Sequence, residues 1–213
     1  MKSIFSTIFL ISILTIAQAN LGSLDKEGRF IYPETNKPYT GNLDVLNNDW
    51  GKVEFSKDYL NGHLHGNEKV FYQSGRLKSL GHFNKGVLTG TVELYYEDGS
   101  IQARVNFNNG IKQGRAISYY PDGSKQLEQL FVDGKLDGLH RTWHENGNVM
   151  KSIPYSKGMV HGTLETYYES GGVFEEVEYN FGTPKYMRTY LEDGTVADEK
   201  GFFDRKLIER IVG

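Results

Sequence analysis

The sequence has no cysteine, few prolines, little net charge and no long hydrophobic run. Without cysteine the chain cannot form disulfides, use a thiol as a nucleophile, bind metal through sulfur or carry a lipid on an N-terminal cysteine. Only 5 of the 213 residues are proline, which argues against a disordered, proline-rich chain. The net charge of −3 argues against nonspecific binding to nucleic acid.

The longest apolar run lies at the N-terminus and is shorter than the ~20 residues that a membrane-spanning helix needs. Lys2 precedes the run "IFSTIFLISILTIA", and Ala17 and Ala19 form a small-x-small cleavage site before Asn20. This pattern predicts a signal peptide over residues 1–19. We therefore expect an exported protein, periplasmic or extracellular after cleavage, that is not an integral membrane protein. A retained N-terminal anchor is the alternative.

Glycine and aromatic residues, by contrast, are plentiful, and they recur with a period of 24 residues. The phased columns are a first glycine (Gly62, Gly86, Gly110, Gly134, Gly158, Gly182), a second glycine (Gly66, Gly90, Gly114, Gly138, Gly162), an aromatic residue (Phe71, Tyr95, Tyr119, Trp143, Tyr167), a turn glycine (Gly75, Gly99, Gly123, Gly147, Gly171) and a last aromatic residue (Phe83, Phe107, Phe131, Tyr155, Tyr179). Such phasing indicates an array of repeats.

Each unit has the pattern of two antiparallel strands. Asp98-Gly99 predicts a two-residue hairpin turn in which both residues have positive φ. Pairing around that turn sets Tyr96 opposite Ile101 and Leu94 opposite Ala103, and alternation then gives one apolar and one polar face. The next turn, at Asn109-Gly110, continues the pairing. The sequence therefore predicts an all-β chain that forms one elongated antiparallel sheet, a meander of hairpins.

The glycine columns have different predicted causes. The first and third columns lie in turns that need positive φ. The second column lies within strands, and the extended register sets Gly114 opposite Val105 and keeps Ala116 on the apolar face. A missing side chain there would leave room for an aromatic neighbour such as Phe107 to lie flat.

The repeat pattern, G-x3-G-x4-Y-Y-x2-G-x-[ILV]-x5-[FY]-x2-G, resembles the MORN-repeat variants of bacterial proteins, many of which are labelled antitoxin components of toxin–antitoxin systems. The segment "NKPYTGNL" (36–43) resembles the start of such arrays. The resemblance implies an elongated, twisted sheet of hairpins and brings no catalytic motif. The predicted layout is a capping segment with a degenerate first repeat (20–50), the repeat array (51–205) and a C-terminal cap (206–213), after the signal peptide.

The sharpest candidate binding residues are the first aromatic column, here called the aromatic stripe: Phe71, Tyr95, Tyr119, Trp143 and Tyr167. Equivalent residues would lie two strands apart, about 9–10 Å, on the more polar face. That spacing suits stacking on sugar rings or docking of a partner surface. The alternative is structural, with the rings packed beneath long charged side chains.

Other chemistry is not favoured. His140 and His144 would stand about 13 Å apart on a strand, too far to share one ion, and His63 and His65 lack an obvious third ligand. No metal, no cofactor and no catalytic residues are therefore predicted. The carboxylates at turns and on the polar face have the positions of solubilising charges. They are Glu93, Glu97, Asp98, Glu175, Glu176 and Glu178.

The sequence thus predicts an exported, non-enzymatic repeat protein that binds or scaffolds a protein partner through an extended sheet surface. One alternative is a cell-envelope binder of glycan or lipid that uses the aromatic stripe. Another is an antitoxin-like inhibitor of an exported toxin. Nucleic acid is not an expected partner, and the sequence names neither the partner nor the oligomeric state.

Overall fold

The structure is a computed structural model that describes residues 22–201, and the predicted signal peptide (1–19) and C-terminal cap (206–213) lie outside them. The strands are β1 (Ser23–Leu24), β2 (Phe30–Tyr32), β3 (Lys37–Pro38), β4 (Gly41–Leu46), β5 (Val53–Leu60), β6 (His63–Phe71), β7 (Leu77–Asn84), β8 (Val87–Tyr95), β9 (Ile101–Asn108), β10 (Ile111–Tyr119), β11 (Lys125–Val132), β12 (Lys135–Leu136), β13 (Gly138–Trp143), β14 (Val149–Ser156), β15 (Met159–Val160), β16 (Gly162–Tyr167), β17 (Val173–Asn180), β18 (Thr183–Tyr190) and β19 (Val196–Gly201).

The predicted meander is confirmed. Strands β4 to β19 form one 16-stranded sheet in which every pairing is antiparallel and joins neighbours in the chain. The short strands β12 and β15 add to β11 and β14 without interrupting the order. The sheet is open, with β4 and β19 as its two edges, and strands β1 to β3 form a separate small sheet. The described chain is all-β, as the sequence predicts.

Tight turns close one end of the hairpins. In Asn109-Gly110 both residues have positive φ, 49° and 77°, as a type I′ turn requires. Positive φ recurs at the equivalent turns, which are Asn61-Gly62, Lys85-Gly86, Asp133-Gly134, Lys157-Gly158 and Phe181-Gly182. Backbone conformation therefore explains the first glycine column, as predicted.

The turns at the other end are longer than predicted. In the turn at Asp98-Gly99 only the glycine has positive φ, 95°, so the predicted two-residue turn is wrong. The loop runs from Tyr96 to Ser100, and the Tyr96 amide donates to the Ser100 carbonyl at 2.9 Å. Asp98 Oδ1 accepts hydrogen bonds from the amide and the hydroxyl of Ser100, at 2.7 and 2.6 Å. These bonds stabilise the wider loop and lower the pKa of the Asp98 carboxyl.

The wider loop changes the register only beside the turn. Leu94 lies opposite Ala103, as predicted, but Tyr95 rather than Tyr96 lies opposite Ile101. Two residues of β9 face one of β8 there, which is a β-bulge. The bulge restores the predicted alternation for the rest of the strand.

The second glycine column also needs a correction. The residue opposite Val105 is Ala116, not Gly114, because the register of β10 shifts between Lys112 and Ala116. As a result, three residues of β10 (113–115) lie opposite a single residue of β9, Asn106. Ala116 is nevertheless on the apolar face and fully buried, as predicted.

The cause of these glycines is the bulge and not room for an aromatic ring. Gly90 and Gly114 have φ of 73° and 79°, a conformation that side-chain-bearing residues rarely adopt. A Cβ on Gly90 would meet nothing within 4 Å, so the missing side chain opens no needed space. In two later units the same irregularity splits the strand, which gives β12 with β13 and β15 with β16.

The hydrophobic core lies on one face of the sheet and is centred on β8 to β11. Its buried residues are Val92, Ala103, Val105, Phe107, Ala116 and Phe131. Leu88, Leu94, Leu127 and Leu136 pack against them. Burying these side chains supplies the main favourable term for a cysteine-free sheet, about 25 cal/mol per Å² of apolar surface.

Hydrogen bonds join successive units along both rims of the sheet. At the tight-turn rim, the glycine amide donates to a carbonyl of the preceding unit, as from Gly110 to Leu88 at 2.7 Å. At the other rim, the tyrosine after the stripe residue donates its hydroxyl to the backbone carbonyl at the equivalent position of the next unit. These bonds, each 2.7 Å, run from Tyr72 to Tyr95, Tyr96 to Tyr119, Tyr120 to Trp143 and Tyr168 to Tyr190. We call this second series the tyrosine ladder.

The small N-terminal sheet packs on the first hairpin of the array. Phe30 is 1% exposed and its ring lies 5.1 Å from that of Tyr59. The Phe30 amide donates to the Gly62 carbonyl, and the Gly62 amide donates to the Tyr39 carbonyl, both at 2.7 Å. The first tight turn of the array is therefore held by the segment that precedes it.

The tyrosine ladder has one gap, which yields a stability prediction. His144 takes the ladder position in the fourth unit, and its Nε2 is buried without a hydrogen-bond partner among the described residues. We expect His144→Tyr to stabilise the fold by about 1 kcal/mol, because its hydroxyl would reach the Tyr167 carbonyl. Urea denaturation measures the change. His144→Phe is the control, and equal stability of the two variants would contradict the ladder as the cause.

Candidate functional site

The polar face of the sheet is organised around one row of residues that crosses all the long strands. Cross-strand pairing links the members of the row one after another. They are Asp44, Ser56, Lys69, Leu80, Glu93, Arg104, Ile117, Glu128, Arg141, Ser152, Glu165, Glu176, Arg188 and Glu199. We call this the central row, and it carries most of the charge of that face.

The aromatic stripe runs beside the central row, two residues further along every second strand. Each of its five rings is half-buried, and none belongs to the hydrophobic core cluster on the opposite face. At the start of the stripe, Phe71 lies opposite Leu77 across β6 and β7. Neighbouring stripe positions are separated by one intervening strand, so each ring has charged or aliphatic side chains on both sides.

Two stripe tyrosines are held by carboxylates of the central row. The Tyr95 hydroxyl donates to Glu93 Oε2 at 2.7 Å, and the Tyr167 hydroxyl donates to Glu165 Oε2 at 2.6 Å. Burial and these hydrogen bonds raise the pKa of both phenols to about 12. The hydrogen bond from Tyr95 and then that from Arg104 lower the pKa of Glu93. Both rings are therefore fixed in one orientation and uncharged at neutral pH.

Cations lie against the middle of the stripe. Lys125 Nζ lies 5.5 Å from the centroid of the Trp143 ring, within cation–π range. Lys125 is also the residue opposite Tyr119 across β10 and β11. Arg104 donates to Glu93 at 2.9 Å, and Tyr119 raises the pKa of its guanidinium further. One long basic side chain, Lys125, thus lies between the rings of Tyr119 and Trp143.

Three of the histidines have structural partners. His65 Nδ1 accepts a long hydrogen bond of 3.4 Å from the Lys85 amide, and His161 Nδ1 accepts one of the same length from Phe181. His140 Nδ1 lies 2.8 Å from Gln129 Nε2 on the apolar face, where burial lowers the pKa of the histidine. Within residues 22–201 no three histidine, aspartate or glutamate side chains are grouped so that they could hold a metal ion.

Sequence reasoning missed a basic concavity on the polar face between β10, β11 and β13. It has a volume of about 320 Å³ and is lined by Arg115, Lys125, Glu128, Gln129, Leu130, Leu139 and Arg141. The charged residues come from three strands and occupy different columns of the repeat. No periodic signal therefore marks them, and only the observed register brings them together.

The described part of the chain also contains no helix of the length and apolarity needed to cross a membrane.

Comparison with known families identifies the repeat. The model of the MORN repeat variant matches residues 64–85, 88–109, 136–157 and 160–181. Each match begins in the strand after a tight turn and ends near the next tight turn. The unit between the second and third matches has the same strand pair, β10 and β11. No curated protein matches the chain. The chain belongs to the MORN repeat variant family, and its four matched repeats lie between residues 64 and 181.

Proposed function

We propose that this chain is an exported, non-enzymatic module that binds a protein partner through the polar face of its sheet, with the aromatic stripe as the main contact. An extended sheet of MORN repeats fits a scaffold or binding module. The array offers the same surface element once per unit. Modest contacts of this kind add up when the surface is already ordered before binding.

The observation that carries the proposal is that all five stripe rings are half-exposed and that two of them are held in one orientation. Tyr95 and Tyr167 are oriented by hydrogen bonds to Glu93 and Glu165. A ring that is already oriented loses little entropy on binding, and aromatic residues dominate the energy of protein interfaces. The core does not need these rings, because it lies on the other face.

The proposal includes export and the absence of catalysis. The N-terminal run with its small-x-small site supports cleavage between Ala19 and Asn20. Recovery of the protein outside the cytoplasm with Asn20 as its first residue would support this; an uncleaved cytoplasmic chain would contradict it. The open sheet, with two ion pairs along the central row, Arg104 with Glu93 and Arg188 with Glu199, supports a binding role over an active site.

The test of partner binding is capture from envelope extract with residues 20–213. We expect Tyr95→Ala/Tyr119→Ala/Tyr167→Ala to weaken capture of a protein partner by about 100-fold or more, because each lost aromatic anchor costs about 1–2 kcal/mol. The matched triple phenylalanine variant keeps the rings but loses the hydroxyls that orient Tyr95 and Tyr167, so it should bind more weakly than wild type and more tightly than the alanine variant. Phe174→Ala, an exposed aromatic outside the stripe, is the second control. Circular dichroism checks each fold.

The outcomes separate the candidate functions. A protein retained by wild type and the phenylalanine variant but not by the alanine variant supports the proposal. A captured partner that is a toxin, bound one to one and inhibited, would favour the antitoxin-like alternative. Binding of glycans or lipid vesicles with no protein retained would favour the cell-envelope alternative. Equal capture by all variants would contradict a role for the stripe.

A further inference from the structure

The basic concavity between β10, β11 and β13 combines three cations with one carboxylate. Glu128 is the shared partner, 3.4 Å from Arg115 and 3.1 Å from Lys125. Its side chain is 19% exposed, whereas that of Arg115 is 72% exposed. Arg141 lies opposite Glu128 across β11 and β13 and forms no ion pair within residues 22–201. The concavity therefore carries a positive excess.

The nearest arginines of the central row on either side of the concavity are each paired with a glutamate. Toward the N-terminus, Arg104 pairs with Glu93 at 2.9 Å. Toward the C-terminus, Arg188 pairs with Glu199 at 3.4 Å. The positive excess is thus local, at the centre of the array and beside the ring of Trp143, which Lys125 contacts.

The shape and the rim of the concavity narrow the class of ligand. Its volume of about 320 Å³ is at the lower end for ligand pockets, which is room for one or two side chains. Leu130 and Leu139, two exposed aliphatic residues, lie at its edge. Arginine suits carboxylates because its planar fork can donate two parallel hydrogen bonds.

We infer that this concavity binds an acidic segment of a protein partner, with a partner carboxylate between Arg115 and Arg141 and an aliphatic neighbour against Leu130 and Leu139. This inference rests on the proposed function and names the chemistry of the partner. The aromatic stripe supplies contact area next to the concavity, and the arginines select negative charge.

The experiment uses a short fluorescein-labelled peptide in which glutamate and leucine alternate, and a matched peptide with glutamine in place of glutamate. We expect wild type to bind the glutamate peptide about tenfold more tightly than the glutamine peptide, and higher salt to reduce the difference. Arg115→Gln/Arg141→Gln should abolish that preference. The control Lys85→Gln/Lys157→Gln removes the same charge from two exposed turn residues and should leave the preference within about twofold of wild type.

The results test the acidic-segment inference separately from the proposed binding through the aromatic stripe. Equal binding of both peptides by wild type, or an unchanged preference in the double arginine variant, would overturn the acidic-segment inference. Displacement of the glutamate peptide by millimolar inorganic phosphate would overturn it in favour of a phosphate site. If the peptide preference fails but stripe-dependent protein capture persists, the proposed function stands without this site. If the peptide preference holds but stripe-dependent capture fails, the acidic-segment inference is supported and the role of the stripe is contradicted.

Discussion

Replacement of Lys57 by methionine is expected to lower the free energy of unfolding by about 3 kcal/mol. Lys57 and Glu68 lie opposite each other on the apolar side of β5 and β6, with Nζ and Oε1 2.8 Å apart. Their side chains are only 11% and 9% exposed. Methionine keeps the apolar stem but leaves the Glu68 carboxylate buried without its countercharge, which is the costly state. Urea denaturation at neutral pH measures the loss.

The double variant Lys57→Met/Glu68→Leu separates this explanation from a packing effect. Removing both charges also removes the cost of burying them, so we expect the double variant to recover most of the stability. Burial and the charge of Glu68 also raise the pKa of neighbouring Tyr59 to about 12. If Lys57→Met costs less than about 1 kcal/mol, or if the second substitution brings no recovery, the ion pair is not the cause.

The second large effect is expected from Gly62→Ala, again about 3 kcal/mol. An added Cβ at Gly62 would lie 2.7 Å from Arg29 Cβ and 3.1 Å from the Phe30 carbonyl oxygen. Gly62 also has φ of 79°, so alanine is strained there irrespective of space. The backbone conformation contributes about 1 kcal/mol, and the steric conflict with the small N-terminal sheet contributes about 2 kcal/mol more.

Gly86→Ala is the matched control for that prediction. Gly86 occupies the same turn position one unit later, with φ of 81°, and a Cβ there meets nothing within 4 Å. It should therefore cost only the backbone contribution of about 1 kcal/mol. Urea denaturation compares the two, and hydrogen exchange at the Phe30 amide reports release of the N-terminal sheet. Equal losses would mean that the contact of that sheet with the first turn is unimportant.

The fold was accessible from the sequence because its strongest determinants are local. Type I′ turns need positive φ, and Asn109-Gly110 marks one with little ambiguity. Alternation then assigns faces, as for Ala116. The error in the turn occurred because one dipeptide fits two turn types. Asp98-Gly99 suits a two-residue turn, but hydrogen bonds from Ser100 to the Asp98 side chain select the longer loop. Such a balance of side-chain bonds is not visible in hydrophobic periodicity.

The candidate site was accessible only in part. The stripe has a period, so its position on the polar face could be derived from alternation. The carboxylate that fixes Tyr95 is two residues away on the same strand and could have been found by the same argument. The basic concavity could not have been found from alternation, because a β-bulge in every second strand decides which side chains of β10, β11 and β13 meet. The sequence signals the bulge only by a glycine, and the glycine alone does not show how many extra residues the bulge contains.

The hydrogen bonds along the two rims have a consequence for how such proteins change over generations. Each unit is joined to the next by nearly the same pair of bonds, from a turn glycine amide at one rim and a tyrosine hydroxyl at the other. A recombination event that removes or duplicates one unit's worth of codons rejoins equivalent positions, so the new junction finds its bonding partners in place. The number of units, and with it the length of the proposed binding face, can then change by whole units without a new fold having to arise.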